Sequence, residues 1–470
     1  MQNTIEHDES SKIDEIFDLQ RDTVLKNRTT TYRERRQKLR RLLDAILEFQ
    51  DRIESALKLD LNKCAEESRV TEIIPVLIEL QLAYKKIPEW MQPKRVARSF
   101  PLLLAKSSIK YEPRGRVLVI SPWNYPFNLS IIPVISALAA GNTVVLKPSE
   151  ISSHTSSILK ELITNTFDED GVAVIEGDAD TAQYLIKKPF DHIFFTGSPQ
   201  VGKLVMALAA ENLSTVTLEL GGKSPAIVGE SADLKDAAHK IAWGKFINAG
   251  QTCIAPDYVL VPDHLLKQFV ELVKEKLHDF LKSNSYTHII SDKHYTRLTG
   301  LLEDAIERGA SIESLGENRD TDRYFAPVII TDVDKESAIM QEEIFGPLLT
   351  VIPVRNIDEA IAFLEPRPKP LTMYVFGRNR EEINKILTRT TVGSTCINET
   401  LAHFSNPNLP FGGVNNSGTG RYHGFHGFEE LSHKRGVFKQ SRYGMLSLLY
   451  PPYTKLKQRI IDFFMWWFSR

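Results

Sequence analysis

Residues 117–146 read VLVISPWNYPFNLSIIPVISALAAGNTVVL, a segment in which two short apolar runs flank a helical stretch. The runs are Val117–Ile120 and Thr143–Leu146, and comparable runs recur at 172–175, 192–195 and 215–218. Apolar, β-branched strands that alternate with helices are typical of a parallel sheet with both faces covered. The segment therefore predicts βαβ organisation and an α/β fold.

Polar residues and a glycine come shortly after several of these runs, namely Asn124, Lys147, Gly197 and Glu219. Because ligands of open parallel sheets bind beyond the carboxyl ends of the strands, we expect a functional site at that edge. Strand and helix signals continue after Lys223, which predicts a second α/β domain.

The composition of the 470 residues, 42% hydrophobic and 25% charged, is ordinary for a soluble globular protein of two or three domains. From residue 11 to about residue 80, apolar residues recur at helical spacing and predict amphipathic helices. The formal net charge of −2, with a basic run at 33–41 that is interleaved with leucines, argues against nucleic-acid binding.

The three cysteines, Cys64, Cys253 and Cys396, lie far apart without a Cys-x-x-Cys pair. This spacing favours neither a zinc cluster nor a disulfide framework, so we expect no metal site and a reducing compartment. The first nine residues are polar and acidic, unlike a secretory signal. A cytoplasmic location is the expectation.

A nucleophile and a candidate base stand in two specific motifs. Cys253 closes Gly250-Gln251-Thr252-Cys253, and Glu219 opens Glu219-Leu220-Gly221-Gly222-Lys223. Covalent sulfur chemistry needs both groups, because the thiolate attacks carbon and a base must later activate water to release the acyl group. The pair makes an enzyme the leading interpretation.

Two further turns have both a structural and a functional interpretation. The Asn124 amide could donate to a developing oxyanion. Asparagine also favours proline-bounded turns without any ligand, because its side chain bonds its own backbone. The turn Phe195–Lys203 joins a strand to a helix and could direct N–H groups at a phosphate. Its glycine spacing is not Gly-x-Gly-x-x-Gly, so a plain turn remains an alternative.

Together these motifs resemble the NAD(P)-dependent aldehyde dehydrogenase superfamily from about Lys110 to Phe438. The segment Cys253–Tyr258 and the short amino terminus look more like its class 3, fatty-aldehyde branch. The matching motifs are Pro122-Trp123-Asn124-Tyr125-Pro126, Lys147-Pro148-Ser149-Glu150, Phe195-Thr196-Gly197-Ser198, Glu219-Leu220-Gly221-Gly222-Lys223, Gly250-Gln251-Thr252-Cys253, Glu342-Glu343-Ile344-Phe345-Gly346-Pro347 and Pro410-Phe411-Gly412-Gly413.

The resemblance implies a role for each catalytic residue. Cys253 would attack the aldehyde carbon, and the Asn124 amide and the Cys253 N–H would hold the oxyanion. Glu219 would activate the water that releases the acid.

Cofactor contacts are implied in the same way. Glu343 would hold the nicotinamide ribose with Phe345 beside it, and Lys147 would bind the adenosine ribose. The other implied cofactor residues are Ser149, Glu150, Gly197, Ser198, Gly202 and Leu220. Because Lys147-Pro148-Ser149-Glu150 offers a ribose acceptor and also a cation for a 2′-phosphate, NAD is the first choice and NADP stays open.

The implied architecture is a Rossmann-like parallel-sheet cofactor domain, a second α/β catalytic domain and a small β oligomerisation arm. We assign residues 1–88 and 111–219 to the cofactor domain and 220–427 to the catalytic domain. The arm takes 89–110 and 428–445, and from the residues alone its first part reads equally as a surface loop. Such an arm pairs subunits in similar enzymes, so we expect a homodimer.

The carboxyl-terminal segment 446–470 is the least globular part of the chain. Helical spacing gathers apolar and aromatic residues of 455–470 on one face, with Lys and Arg around them. The segment is too short to span a bilayer. Attachment to a membrane surface and packing on a protein surface both stay open, and the resemblance favours the membrane.

The expected function is oxidation of medium or long-chain aliphatic, or aromatic, aldehydes to carboxylic acids with NAD(P), through a cysteine thiohemiacetal and thioester. One alternative is an enzyme that passes the acyl group to coenzyme A. Glu219 argues against it, because a hydrolytic base would compete with the thiol acceptor. The other alternative is a non-catalytic structural protein on the same fold.

Overall fold

The computed structural model describes residues 7–98, 102, 104–282, 286–442, 446 and 449–470. Its α-helices are α1 (His7–Asn27), α2 (Tyr32–Glu48), α3 (Gln50–Leu61), α4 (Ala65–Ser68), α5 (Ile74–Trp90), α6 (Asn128–Ala140), α7 (Ser153–Thr166), α8 (Ala179–Ile186), α9 (Pro199–Ala210), α10 (Leu234–Phe246), α11 (Leu266–Leu281), α12 (Asp292–Glu307), α13 (Ala338–Gln341), α14 (Ile357–Leu364), α15 (Arg380–Arg389), α16 (Gly424–Glu430) and α17 (Lys455–Phe468). Its strands are β1 (Lys94–Arg95), β2 (Lys106–Pro113), β3 (Arg116–Ile120), β4 (Thr143–Lys147), β5 (Val172–Val174), β6 (His192–Gly197), β7 (Thr215–Leu220), β8 (Pro225–Val228), β9 (Tyr258–Pro262), β10 (Ser311–Ser314), β11 (Val328–Thr331), β12 (Leu348–Val354), β13 (Thr372–Phe376), β14 (Ser394–Ile397), β15 (Gly418–Thr419) and β16 (Ser432–Lys439).

The first sheet contains every strand expected between residues 117 and 218. Its order is β15-β7-β6-β3-β4-β5, and β3 to β7 pair in parallel. Helix α6, which connects β3 to β4, is buried along its whole length. The prediction of a parallel βαβ sheet is confirmed.

The second sheet has the order β10-β11-β12-β9-β8-β13-β14, with parallel pairing except at β10. The second α/β unit predicted downstream of Lys223 is therefore present. Strand β15 returns to the first sheet, where Gly418 pairs with Glu219. The end of the segment expected to be catalytic thus completes the edge of the first sheet.

The amino-terminal helices follow the predicted apolar spacing. In α2, Leu39, Leu42 and Ile46 are buried, whereas Leu47 lies off this stripe and is half exposed. Helices α2 and α5 pack against α6, and α3 packs against α7. These helices therefore cover the face of the first sheet that carries α6 and α7.

The third sheet has the order β1-β2-β16 and is antiparallel, with Lys106 to Pro113 paired along Ser432 to Lys439. Most of β16 is exposed. The segment that could have been a surface loop therefore contains β1 and part of β2. The expected domains also include residues 1–6, 99–101, 103, 283–285, 443–445 and 447–448, which lie outside the described residues.

Candidate active site

Cys253 lies at the end of a tight loop that follows α10. The loop backbone is left-handed at Asn248 (φ 53°), Ala249 (φ 50°) and Gly250 (φ 73°). A Cβ on Gly250 would lie 2.2 Å from the carbonyl oxygen of Gly346, so only glycine fits there. Non-glycine residues in this conformation are strained and persist only when their surroundings hold them.

Long-range hydrogen bonds hold this loop. Gln251 Nε2 donates to the carbonyl oxygens of Asn248 and His288, each at 3.0 Å, and its Oε1 accepts from the Ile290 N–H at 3.0 Å. The Glu67 carboxylate accepts the Asn248 N–H at 2.9 Å. These contacts fix the strained backbone and with it the position of the nucleophile.

The Cys253 side chain is partly exposed at the base of a cavity. Burial raises the pKa of its thiol above the usual range, and the carboxyl groups of Glu343 and Glu219 raise it further. The backbone N–H groups of Cys253 and Ile254 interact with the sulfur and lower its pKa. These N–H groups also lie where negative charge would develop beside the sulfur.

Asn124 lies in the turn after β3 and packs directly on the nucleophile loop. Its side-chain amide donates to the Gln251 carbonyl oxygen at 3.0 Å, and its own carbonyl accepts from Asn248 Nδ2 at 2.9 Å. A primary amide has two N–H donors, so one further donor is available to an oxyanion. The structure therefore brings Asn124 and Cys253 together.

Glu219 lies in β7 rather than after it, and its side chain is buried. Neither carboxyl oxygen has a hydrogen-bond partner among the described residues. Burial raises the pKa of Glu219 well above its usual value, Arg421 opposes this shift and Glu430 adds to it. A raised pKa suits a carboxylate that takes a proton from water.

Glu343 approaches the same centre from the loop between α13 and β12. A Cβ on Gly221 would lie 1.9 Å from Glu343 Oε2, and the Gly222 N–H bonds the Glu343 carboxyl group. Burial raises the pKa of Glu343 to about 8, and Asp257 adds to the shift. The carboxyl group therefore lies against the backbone that directly follows Glu219.

The loop that carries Glu343 is held by charged side chains. Lys223 Nζ donates to Asp257 and to the carbonyl oxygens of Ile339 (2.7 Å) and Glu342 (2.8 Å). Asp257 in turn accepts the Ile344 N–H at 2.9 Å.

Phe345, in the same loop, has a left-handed backbone (φ 49°). Its ring packs edge-on against Trp123, with ring centroids 5.3 Å apart. The loop therefore also contacts the turn that carries Asn124.

The proposed cofactor residues of β4 cluster at its carboxyl end. Lys147 is buried at the end of the strand, and its Nζ donates to Glu150 Oε2 at 2.8 Å. Ser149 Oγ accepts the Ile151 N–H at 3.3 Å and so caps a short helical turn. A cation paired with a partly exposed carboxylate provides both kinds of group that ribose hydroxyls bind.

The remaining proposed cofactor residues lie where β6 meets α9. Gly197 ends β6, and Ser198 caps α9 by accepting the Val201 N–H at 3.4 Å. A Cβ on Gly202 would lie 2.7 Å from Leu220 Cδ2, so glycine allows α9 to pack closely on β7. A helix amino terminus at the carboxyl edge of a parallel sheet fits the pyrophosphate of a dinucleotide.

An apolar funnel leads from the surface to the nucleophile and encloses a cavity of about 100 Å³. Trp243, 37% exposed, and Val70, 54% exposed, are the most solvent-accessible large apolar side chains among its walls. The lining residues are Val70, Thr71, Pro75, Tyr125, Asn128, Leu129, Trp243, Ile247, Thr252, Cys253, Ile254, Leu401, Phe404 and Ser405. Such a lining suits a substrate with an apolar body.

Several residues of the site were not found from the sequence. The π-helical turn Arg69–Ile73 between α4 and α5 supplies one wall of the funnel. Tyr374 donates to the Ile254 carbonyl oxygen at 2.5 Å and so holds the chain after the nucleophile. Tyr125 and Leu401 also line the cavity. Nothing in the helical periodicity of residues 69–75 marks Val70 or Thr71 as part of a cavity wall.

The fold and the site together define a class of protein. One α/β unit contains a parallel sheet whose carboxyl edge suits a dinucleotide. It adjoins a second α/β unit that presents a cysteine beside two buried carboxyl groups. Among the described residues, no three His, Cys, Asp or Glu side chains are grouped to hold a metal ion. The class is that of oxidoreductases that work through a cysteine.

Comparison with known proteins is consistent with this class. The sequence model of the aldehyde dehydrogenase family matches residues 2–437. A probable coniferyl aldehyde dehydrogenase of Pseudomonas aeruginosa is 42% identical over 96% of this chain and 96% of its own length. A 4,4'-diaponeurosporen-aldehyde dehydrogenase of Staphylococcus aureus is 43% identical over 92% and 94%. A dimeric NADP-preferring aldehyde dehydrogenase of Rattus norvegicus is 42% identical over 92% and 95%.

Among solved structures, the substrate-bound state of Staphylococcus aureus AldH superposes with a TM-score of 0.92. It is 41% identical, and the match covers 96% of this chain and 99% of that chain. The chain belongs to the aldehyde dehydrogenase family. It is an NAD(P)-dependent oxidoreductase that oxidises aldehydes to carboxylic acids.

Proposed function

We propose that the chain oxidises apolar aldehydes, aromatic or of medium to long chain length, with Cys253 as nucleophile and Glu219 as hydrolytic base. The observation that carries this proposal is that Cys253 lines an apolar cavity, with the Glu219 carboxyl group adding to the raised pKa of its thiol. The relatives named for coniferyl and diaponeurosporen aldehydes support the same substrate class.

In the first half of the reaction, the Cys253 thiol loses its proton to water, and the thiolate Sγ then attacks the carbonyl carbon and forms a thiohemiacetal. The oxyanion accepts hydrogen bonds from the Cys253 N–H, which lies beside the sulfur, and from the Asn124 amide, which is held against the nucleophile loop by its bond to the Gln251 carbonyl oxygen. Bound NAD(P) supplies the two-electron acceptor, and a thioester on Cys253 remains.

In the second half, Glu219 takes a proton from water while the water oxygen attacks the thioester carbonyl carbon. The carbon–sulfur bond breaks, the thiolate of Cys253 returns and the carboxylic acid leaves. Burial of Glu219 favours this role, because a raised pKa makes the carboxylate a stronger base.

For the cofactor, we propose NAD as the first choice, held by Lys147, Ser149, Glu150, Gly197, Ser198, Gly202 and Leu220 at one end and by Glu343 and Phe345 at the other. The pairing of Lys147 with Glu150 supports NAD, because the carboxylate partly offsets the cation that a 2′-phosphate would need. The NADP-preferring rat relative keeps NADP as the alternative. A comparison of kcat/KM for the two cofactors distinguishes them.

The test of the residue roles is a pre-steady-state experiment with NAD and decanal. The Glu219→Gln variant should give a burst of reduced nicotinamide stoichiometric with active sites and then stop, because the thioester is not hydrolysed. Cys253→Ser should give no burst. Cys64→Ser, at a residue that caps α4, is the control and should behave like the wild type. Continued turnover of either active-site variant at the wild-type rate would refute the assignment.

We also propose a homodimer formed through the exposed sheet β1-β2-β16. Strand β16 is an edge strand with Val437 and Phe438 exposed, and edges of this kind pair with another chain. The rat relative, which is named a dimeric aldehyde dehydrogenase, supports the proposal. Val437→Pro should convert a dimer mass in light scattering to a monomer mass, and a monomeric wild-type protein would contradict the proposal.

For the carboxyl-terminal helix we propose contact with a membrane surface. None of the residues of α17 is buried, and Phe463, Trp466 and Trp467 are about half exposed. No helix in the described part of the chain combines the length and apolarity needed to cross a bilayer. Full-length protein should float with liposomes and a chain ending at Thr454 should not. If neither protein floats with liposomes, the proposal is overturned.

A further inference from the structure

A row of hydrogen-bonding groups leads away from Glu219 along β7. Side chains alternate along a strand, so Thr215, Thr217 and Glu219 lie on the same face of β7. Thr217 Oγ1 donates to Glu430 Oε1 at 3.1 Å. Glu430, the last residue of α16, is partly exposed, whereas Thr217 is completely buried.

A buried histidine fixes this arrangement. His192 Nε2 is hydrogen-bonded to Thr217 Oγ1 at 3.0 Å, and Nδ1 is hydrogen-bonded to Thr215 Oγ1 at 2.8 Å. Burial lowers the pKa of His192 well below its usual value, and Arg114 lowers it further. With the single hydrogen of a neutral ring on Nε2, His192 donates to Thr217 Oγ1, and the Thr217 hydroxyl is thereby held toward Glu430.

Two glycines face Glu219 and Glu430. A Cβ on Gly412 would lie 2.9 Å from Glu219 Oε1. A Cβ on Gly420 would lie 2.9 Å from Thr217 Oγ1 and 3.1 Å from Glu430 Oε1. Larger residues at these positions would crowd the two carboxyl groups, and the glycines keep the space beside them clear.

The two carboxyl groups also influence each other electrostatically. The charge of Glu430 raises the pKa of Glu219, and Arg421 is the charged group that opposes it. Glu219 and Thr217 are two residues apart on the strand, about 7 Å along it, so a proton leaving Glu219 would need an intervening water molecule to reach the Thr217–Glu430 pair. Glu430 is thus a proton acceptor near the buried base that also reaches solvent.

We propose that Glu430 passes the proton taken up by Glu219 during hydrolysis to solvent, with Thr217 and His192 positioning its carboxylate. The inference rests on the proposed function, in which Glu219 is the base. Each hydrolysis breaks one O–H bond of water and leaves that proton on Glu219. The proton then moves to Glu430 and from there to solvent, which restores the Glu219 carboxylate for the next turnover.

The proposal predicts a difference between the first turnover and later ones. When Glu430→Gln is assayed at a pH high enough for Glu219 to begin the reaction ionised, acid release in the first turnover should match the wild type in a quenched-flow measurement. Later turnovers find Glu219 still protonated, and steady-state kcat in weak buffer should fall about tenfold, below the full effect of losing a catalytic acid or base. High concentrations of a small buffer such as formate or imidazole should restore kcat to within about twofold, because external acids and bases replace the lost group.

Two further variants separate this role from a structural one. Glu429→Gln is the matched control on the same helix, where the amide oxygen still accepts from the Tyr111 hydroxyl, and it should leave kcat and its buffer dependence unchanged. Thr217→Val removes the hydroxyl that orients Glu430. It should lower kcat in weak buffer by less than Glu430→Gln does, and concentrated buffer should again restore kcat.

Equal steady-state rates for Glu430→Gln and the wild type would overturn the proposal, as would a slowed first turnover or a loss that buffer does not restore. Failure of the proposed function is recognised separately, because Glu219→Gln would then lack its burst-and-stop behaviour whatever Glu430→Gln does.

Discussion

The buried ion pair between Lys63 and Glu72 gives the most direct test of how the funnel is held. Both side chains are completely buried, and Lys63 Nζ lies 2.8 Å from Glu72 Oε1. Glu72 also accepts the Asn128 N–H at 2.9 Å, and Lys63 lies 4.5 Å from the ring centroid of Tyr125. The pair therefore supports two funnel residues.

Removing one partner leaves an uncompensated buried charge, which costs about 3–5 kcal/mol. We therefore expect Lys63→Met to lower the melting temperature by about 6–10 °C, at roughly 2 °C per kcal/mol for a large domain. In Lys63→Met/Glu72→Gln the unpaired charge is gone and the amide oxygen still accepts from Asn128. The imperfectly paired amide at position 72 still costs about 1–3 kcal/mol of stability. The second substitution should therefore restore part of the lost melting temperature.

Thermal unfolding followed by circular dichroism measures the melting temperature of both variants. The KM for aldehyde should also rise in Lys63→Met, because Tyr125 loses the cation that lies over its ring. Lys110→Met is the control, since it breaks a 2.9 Å pair with Glu112 at a half-exposed side chain and should shift the melting temperature by about 1 °C or less. The reasoning is refuted if Lys63→Met melts within a degree of the wild type. It is also refuted if the double variant melts no higher than the single one.

Three other results are expected. Gly221→Ala would place a Cβ 1.9 Å from Glu343 Oε2 and should raise the KM for NAD at least tenfold, whereas Gly300→Ala, with no atom within 4 Å, should leave it unchanged in the same assay. Burial raises the pKa of Glu79 to about 7, so the folded state keeps a proton that the unfolded chain loses near pH 4.5. Stability should therefore fall as pH rises from about 5 to 7, and melting curves of Glu79→Gln should lack this slope. Trp243→Ala should lower kcat/KM for decanal about tenfold by removing apolar contact, with less than about a twofold change for acetaldehyde.

The parallel sheet could be predicted from the sequence because its strands are continuous apolar runs. Residues 117–120 are buried on both faces of β3, so hydrophobicity alone marks them as a central strand. Cys253 and Glu219 could be chosen because each stands in a motif of several fixed residue types, and the fold brings both into one site. Local pattern and tertiary structure agree at these positions.

The walls of the funnel could not be predicted in the same way. Lys63 and Glu72 stand in a helical region rich in charge, where charged residues are usually exposed, and only the packing of distant segments buries them. Val70 and Trp243 are far apart in sequence and meet only across the cavity. Periodicity reports which face of a helix is apolar, but it does not report which loop that face meets.

Three glutamates of the helical region between residues 65 and 90 explain how the funnel is assembled. Glu67, Glu72 and Glu79 accept the backbone N–H groups of Asn248 (2.9 Å), Asn128 (2.9 Å) and Gly424 (2.6 Å) respectively. In a regular α-helix, residues five apart lie about 140° apart around the axis, whereas residues seven apart nearly align. The π-helical turn Arg69–Ile73, which contains Glu72, inserts one residue after Glu67, so that a spacing of five acts like a spacing of four. The turn thus brings all three carboxyl groups onto one side of the helical region, where each holds a different segment, including the nucleophile loop. A wider helical turn is unfavourable in isolation, and here its consequence is that one helical region fixes three segments, of which those that carry Asn128 and Asn248 border the cavity.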